Sequence, residues 1–130
     1  MLAELGRPDV RDHPDEDEHR EMFAGYLDRS DTAAFVAERE GRIVGFVDVE
    51  YRPRLNHLTP QAWVPDLIVT EEERGAGIGK ALLARVEVAA RERGCWSITL
   101  ESANWRRDAH RFYLREGWTD SAKSFGKALE

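Results

Sequence analysis

The residues best suited to chemistry are the run Arg74-Gly75-Ala76-Gly77-Ile78-Gly79-Lys80. It stands between an apolar strand-like segment, Trp63 to Val69, and a strongly periodic helix, Ile78 to Arg93. Glycine has no Cβ, so a backbone built from it can approach a ligand closely. The N–H groups of a first helical turn lack intrahelical partners, and the macrodipole adds partial positive charge, so an anion such as a diphosphate is favoured there. Arg74 and Lys80 add full positive charge at either end of the run. The chemistry implied is the holding of a phosphate-bearing co-substrate where a strand turns into a helix. A tight strand-to-helix connection with no ligand is the plainer alternative.

Two familiar phosphate loops do not fit. A Walker loop needs Ser or Thr after its Lys, whereas Lys80 is followed by Ala81. A dinucleotide fingerprint needs a third glycine, and counting from Gly75 or Gly77 finds Lys80 or Leu82 there. The spacing that fits is Arg-x-x-Gly-x-Gly, with Arg74, Gly77 and Gly79.

A second segment accompanies the first. Val64-Pro65-Asp66-Leu67-Ile68-Val69-Thr70, the acidic run Glu71 to Glu73, the loop, and a helix ending at Gly94 together resemble the acetyl-CoA-binding core of the GNAT superfamily of N-acetyltransferases. Ala109-His110-Arg111-Phe112-Tyr113-Leu114-Arg115-Glu116-Gly117-Trp118 resembles that family's second signature, an apolar helix with a tyrosine, a glycine stop and then an aromatic. The resemblance runs from about Phe35 to Leu129. Glu18-His19-Arg20-Glu21-Met22 further resembles an acidic helix of the aminoglycoside N-acetyltransferases.

The resemblance implies an acetyl-CoA-dependent enzyme that moves an acetyl group to a primary amine of a small molecule, by direct transfer in a ternary complex. It implies that main-chain groups of Leu67, Ile68 and Val69 pair with the pantetheine arm, and that the amides from Arg74 through Gly75, Ala76, Gly77, Ile78 and Gly79 to Lys80 take the diphosphate. Tyr113 matches the family tyrosine and becomes the general acid for the departing thiolate. Many relatives carry Asn where this chain has Arg106; the nearest asparagine is Asn104. Asn104 contacting the pantetheine and Arg106 contacting a phosphate both remain open. Glu101, at a strand end, and Asp66, in the cofactor strand, are the carboxylates that could accept the amine's proton. Holding two substrates together supplies about 7–11 kcal/mol of such a barrier in good model systems, so placement outweighs any one side chain. Two other readings stand beside this one: a non-catalytic acyl-CoA-binding module, and a protein or peptide N-acetyltransferase.

Composition sets the frame. At 130 residues the expectation is one domain, 1–130, with an irregular stretch over 1–14. The net charge of -6 argues against nucleic acid or an anionic membrane as partner and suits a cationic amine. The run Asp15 to Glu18 and the run Glu71 to Glu73 read as solvated surface. No apolar run reaches membrane-spanning length, and no secretory leader is visible. One cysteine, Cys95, excludes an intramolecular disulfide and reads as a small core residue; cytoplasmic residence follows. His13, His19, His57 and His110 show no metal spacing, so no metal is expected. A homodimer is the assembly expected by analogy with small domains of this family.

The elements that must position these groups alternate. Helix is expected over Asp15 to Leu27, with Met22, Phe23, Tyr26 and Leu27 on its apolar side. Strands are expected over Thr32 to Glu38 and Arg42 to Tyr51, turning at Glu40-Gly41, with the second more buried on one face. A loop covers Arg52 to Pro60, and further strands cover Trp63 to Val69 and Cys95 to Glu101. A helix from Ala109 to Glu116 is expected to be capped by Asp108, followed by closing strands within Trp118 to Leu129. The fold class is α/β (α+β), and the resemblance implies a mixed, twisted, splayed central sheet flanked by helices. Relatives usually begin with a strand for which residues 1–14 look too polar.

Overall fold

The computed structural model describes residues 16–129. Its elements are α1 (Glu16–Asp28), β1 (Thr32–Arg39), β2 (Arg42–Arg52), β3 (Gln61–Val64), β4 (Leu67–Val69), a single 3₁₀ turn (Glu71–Glu73), α2 (Ile78–Glu92), β5 (Ile98–Leu100) and α3 (Arg107–Arg115). The chain divides into two compact units, one running to Thr99 and one from Leu100. The expected α/β class is what folds. The expectations for residues 1–14, and for Asp15 as a helix residue, lie outside the described residues.

In the first unit the sheet order is β1-β2-β3-β5, with β4 also pairing β2. β1 and β2 form an antiparallel hairpin. Its turn residues Glu40 and Gly41 have φ of 50° and 77°, the left-handed pair that matches strand twist in a two-residue connection. A bulge interrupts this ladder between Ala37 and Glu38.

β2 is the central strand, and helices cover both of its faces. Gly45, Val47, Val49 and Tyr51 are buried on the α2 side. An ideal Cβ at Gly45 would lie 2.8 Å from Ile78 Cγ2 and 2.9 Å from Leu82 Cδ1, so only glycine lets α2 pack this close. The other face meets α1: Phe46 lies 6.0 Å from Phe23 between ring centroids, and Asp48 is buried. One face is more buried than the other, as the pattern predicts, and the second face is nonetheless partly covered because β2 lies inside the sheet with a helix on each side.

The expected single strand from Trp63 to Val69 is two. Pro65 has no N–H to donate to a ladder, and the pairing breaks at Pro65-Asp66. β3 pairs with Glu50 to Arg52, while β4 pairs with Gly45 to Val47. α2 follows its sequence pattern: Leu82, Leu83, Val86, Ala89 and Ala90 are buried, and Gly94 closes the helix at φ 77°. α1 does not follow its pattern. Met22, Phe23 and Leu27 are largely exposed, and His19 and Tyr26 are its half-buried residues. A short helix with few apolar side chains has no continuous stripe to bury.

In the second unit α3 begins at Arg107 rather than Ala109. Arg106 occupies the N-cap position, so Asp108 is not the cap; it sits in the first turn and pairs with Arg111 one turn on. The expected closing strands are absent: no strand is assigned over residues 118–129, whose side chains are almost all exposed. Charged and small residues there (Ser121, Lys123, Ser124, Lys127) offer no alternating apolar face to pair on.

Candidate active site

The glycine loop has the geometry of an anion cradle. The 3₁₀ turn ends at Arg74, whose Nε donates to the Val69 carbonyl at 3.3 Å. Gly75 and Gly77 follow with φ of 86° and 83°, and nothing lies within 4 Å of where a Cβ would stand at either. Gly77 is the N-cap of α2 and gives it no side-chain cap. The first intrahelical bond, Ala81 N–H to the Gly77 carbonyl at 3.0 Å, starts beyond the amides of Ile78, Gly79 and Lys80. An uncapped fifteen-residue helix behind an open left-handed loop fits a diphosphate. Ala76 and Lys80 are exposed, Ile78 and Gly79 half-buried.

One of the three glutamates before the loop is not solvated surface. Glu73 is half-buried and accepts an ion pair from Arg39 at 2.5 Å, whereas Glu71 and Glu72 are exposed, as expected. The cation at the end of β1 draws Glu73 inward.

Leu67, Ile68 and Val69 form β4, with Ile68 buried and the other two half-buried. β4 pairs β2 along one edge, and among the described residues no strand is assigned to its other edge. Main-chain groups on that edge are therefore available to an extended chain of another molecule.

Asp66 sits at the break between β3 and β4 beside a residue that sequence reasoning passed over. Asp48, 5% exposed, accepts the Asp66 N–H through Oδ1 at 2.8 Å. In return the Asp48 N–H donates to the Asp66 carbonyl at 3.1 Å. Burial, and next the Asp66 carboxylate, push the Asp48 carboxyl up to about 7. Tyr26 of α1 faces the same carboxyl, and its phenol is raised by burial and then by the charges of Asp48 and Glu50. Trp63, opposite Glu50 across β2 and β3, keeps a buried indole N–H with no acceptor. In the sequence Asp48 looked like one polar step in an alternating strand; only the second layer of structure, α1, makes it buried.

The second unit holds the remaining candidates. Tyr113 is half-buried in α3, edge-on to Phe112 at 5.3 Å and 6.0 Å from Trp118. Burial pushes its phenol up, and Arg106 pulls the other way. Arg106 is half-buried; Asn104 and Glu101 are exposed. His110 Nε2 lies 2.9 Å from the Ala103 carbonyl, across the turn before α3. Cys95 is half-buried with a thiol raised by burial, which suits packing rather than nucleophilic attack. No group of three or more metal-ligating side chains occurs, and no helix is long and apolar enough to cross a membrane, among the described residues.

The interrupted strand leads through the glycine loop into the uncapped α2. Residues 2–118 match the acetyltransferase (GNAT) family, and the chain belongs to that family. Over 110 residues it is 38% identical to the aminoalkylphosphonate N-acetyltransferase of Salmonella typhimurium, a match spanning 85% of this chain and 71% of that protein. The crystal structure of a transcriptional regulator from Bacillus halodurans has a TM-score of 0.82 at 27% identity, covering 87% of this chain and 76% of the other. An aminoglycoside N-acetyltransferase in complex with CoA has a TM-score of 0.80 at 21% identity, covering 90% and 78%, a likeness of fold alone. The chain is thus a transferase of the N-acetyltransferase class, and enzymes of its family use acetyl-CoA.

Proposed function

We propose that this protein transfers the acetyl group of acetyl-CoA directly to a primary amine of a small molecule within a ternary complex. The observation that carries the reading is the open loop at Gly75 and Gly77 in front of the uncapped α2, built as a diphosphate would require. The free edge of β4 supports it, since Leu67 to Val69 offer main-chain groups to the pantetheine amides. Arg74 and Lys80 add charge near the phosphates, and Asn104 and Arg106 remain the further contacts.

The acceptor side is acidic. Asp48, Glu50 and Asp66 face α1 together with Tyr26, a setting that favours an ammonium group over an anion. Of the two carboxylates considered for taking the amine's proton, Asp66 is supported by its buried neighbour, whereas Glu101 is exposed. Tyr113 supplies a proton to the leaving thiolate; its raised phenol stays protonated at neutral pH. The aminoalkylphosphonate and aminoglycoside relatives are named for amine acceptors, which is the substrate class proposed here.

The test is release of free thiol from acetyl-CoA across a panel of amines. Turnover with at least one small primary amine is expected, and Tyr113→Phe should lower kcat about 10²–10⁴-fold while leaving the affinity for CoA unchanged. Binding of CoA without turnover on any amine would replace the enzyme by a binding module. No binding of any CoA species would end both.

A further inference from the structure

We propose that Arg52, laid on the Trp63 ring, is a specificity residue that grips an acidic group of the acceptor, so that the preferred acceptor is a small zwitterion: a primary amine with a carboxylate or another oxyanion a few bonds away. This rests on the amine-acetylation reading and narrows its substrate class.

The Arg52 guanidinium stands 3.6 Å from the centroid of the Trp63 ring. Stacking of this kind uses the flat face of the guanidinium and leaves its N–H edge free to donate in the plane. Among the described residues the Arg52 side chain makes no hydrogen bond and no ion pair. Gln61, its partner across the ladder, is spent elsewhere, its Nε2 donating to Ser97 Oγ at 2.9 Å. Arg52 and Trp63 are both half-buried. A guanidinium half out of water, fixed on an aromatic shelf with its fork of donors unused, is suited to a bidentate oxyanion.

The charges beside it give the rest of the ligand. Asp48, Glu50 and Arg52 alternate with buried Val49 and Tyr51, so all three lie on the α1 face of β2. Trp63, paired with Glu50, lies on that face too. Along one face the charge therefore runs negative, negative, positive. Successive positions on one face of a strand are about 6–7 Å apart. An ammonium group beside Glu50 thus brings an acidic group on the same short molecule to Arg52. A monoamine without an acid uses only the negative part of this row, and a second ammonium placed at Arg52 is repelled.

The test is kcat/KM, read by thiol release, for five short amines: β-alanine, taurine and phosphoethanolamine, which carry an acid, and ethanolamine and propylamine, which do not. At least one acid-bearing amine is expected to exceed both others by about tenfold or more, and the preferred one identifies the oxyanion. Arg52→Gln should bring this ratio close to one with KM for acetyl-CoA unchanged, and Arg52→Lys should keep part of it. Arg42→Gln removes the same charge from the other end of β2 and should leave the ratio intact. No preference in the wild type, an equal loss on all five amines in Arg52→Gln, or the same change in Arg42→Gln overturns the proposal. Proton–nitrogen NMR gives a readout without turnover. The indole N–H of Trp63 is buried and has no partner among the described residues, so its resonance reports the guanidinium above the ring. The preferred acid-bearing amine should shift it saturably in the wild type and not in Arg52→Gln. A resonance that does not move, or that moves equally in the variant, disproves the site. Should no amine be acetylated while the Arg52-dependent shift is seen, the transfer reading falls and the oxyanion site stands without it. Should amines be acetylated regardless of the acid, the transfer reading stands and the role of Arg52 falls.

Discussion

Arg39, the last residue of β1, reaches the Glu73 carboxylate at 2.5 Å and ties the hairpin to the turn that precedes the glycine loop. The partners are 34 residues apart in sequence. Through this ion pair the position of the loop depends on a strand that itself carries none of the proposed cofactor contacts.

Arg39→Ala should therefore act on cofactor binding rather than on chemistry. Arg39 is half exposed, so solvent screening limits the pair to about 0.2–1 kcal/mol. The expected effect is a rise in KM for acetyl-CoA of roughly two- to fivefold with kcat unchanged, read by steady-state kinetics. A fall in kcat with constant KM would contradict it.

Gly77→Ala should cost both stability and affinity. At φ 83° an alanine meets the left-handed penalty of about 1–2 kcal/mol. Its methyl would also occupy the open space proposed for the diphosphate, so calorimetry with CoA should show binding weakened on the order of tenfold, about 1.4 kcal/mol. Gly25→Ala is the contrast. That glycine lies in α1 without a positive φ and with nothing within 4 Å of the new methyl, and its replacement should stabilise by about 0.4–1 kcal/mol in denaturant unfolding.

Gly45→Ala tests the close approach of α2. The new methyl would overlap Ile78 Cγ2 and Leu82 Cδ1, and displacement of the helix should cost about 1–3 kcal/mol. Because Ile78 opens α2 beside the loop, CoA affinity should fall along with stability. Ile78→Val in the same chain keeps the offending branch, whereas Ile78→Ala removes it and should recover part of the loss. Thermal melts with and without CoA separate the two effects.

Asp48 makes stability depend on pH in an unusual direction for an acid. Its carboxyl is raised to about 7 in the fold from an ordinary value of 3.8. The native state therefore binds more protons than the unfolded one between those limits, so its contribution is present below the ordinary value and is lost as pH rises through 7. Asp48→Asn should flatten this slope and be more stable than the wild type above pH 7, by on the order of 1–3 kcal/mol. Urea unfolding at pH 5 and pH 8 checks the sign: equal differences at both would exclude a titrating Asp48.

The glycine loop and α2 were legible because their signals are local. Glycines at left-handed positions, an apolar stripe through Leu82, Val86 and Ala89, and the stop at Gly94 each act within a few residues. The surroundings of Asp48 and Glu73 were not, because they depend on layers. Asp48 is buried only since α1 covers that face of β2, and Glu73 turns inward only because Arg39 arrives from β1. Nothing in the local pattern of either residue announces its partner. The double strand in place of Trp63 to Val69 could have been read from Pro65, whose missing N–H cannot serve an interior ladder. The closing strands expected after Trp118 had no alternating apolar face behind them, and no strand is assigned over residues 118–129.

β2 alternates its side chains between two tasks. Gly45 gives room to the helix that opens at the phosphate loop, and three positions later Asp48 anchors the residue proposed to take the proton. Slipping the hairpin by a single residue would exchange these faces, putting a carboxylate against α2 and a bare backbone beneath α1. On the proposed reading, recognition of the donor and deprotonation of the acceptor share one register, and a change that serves either constrains the other.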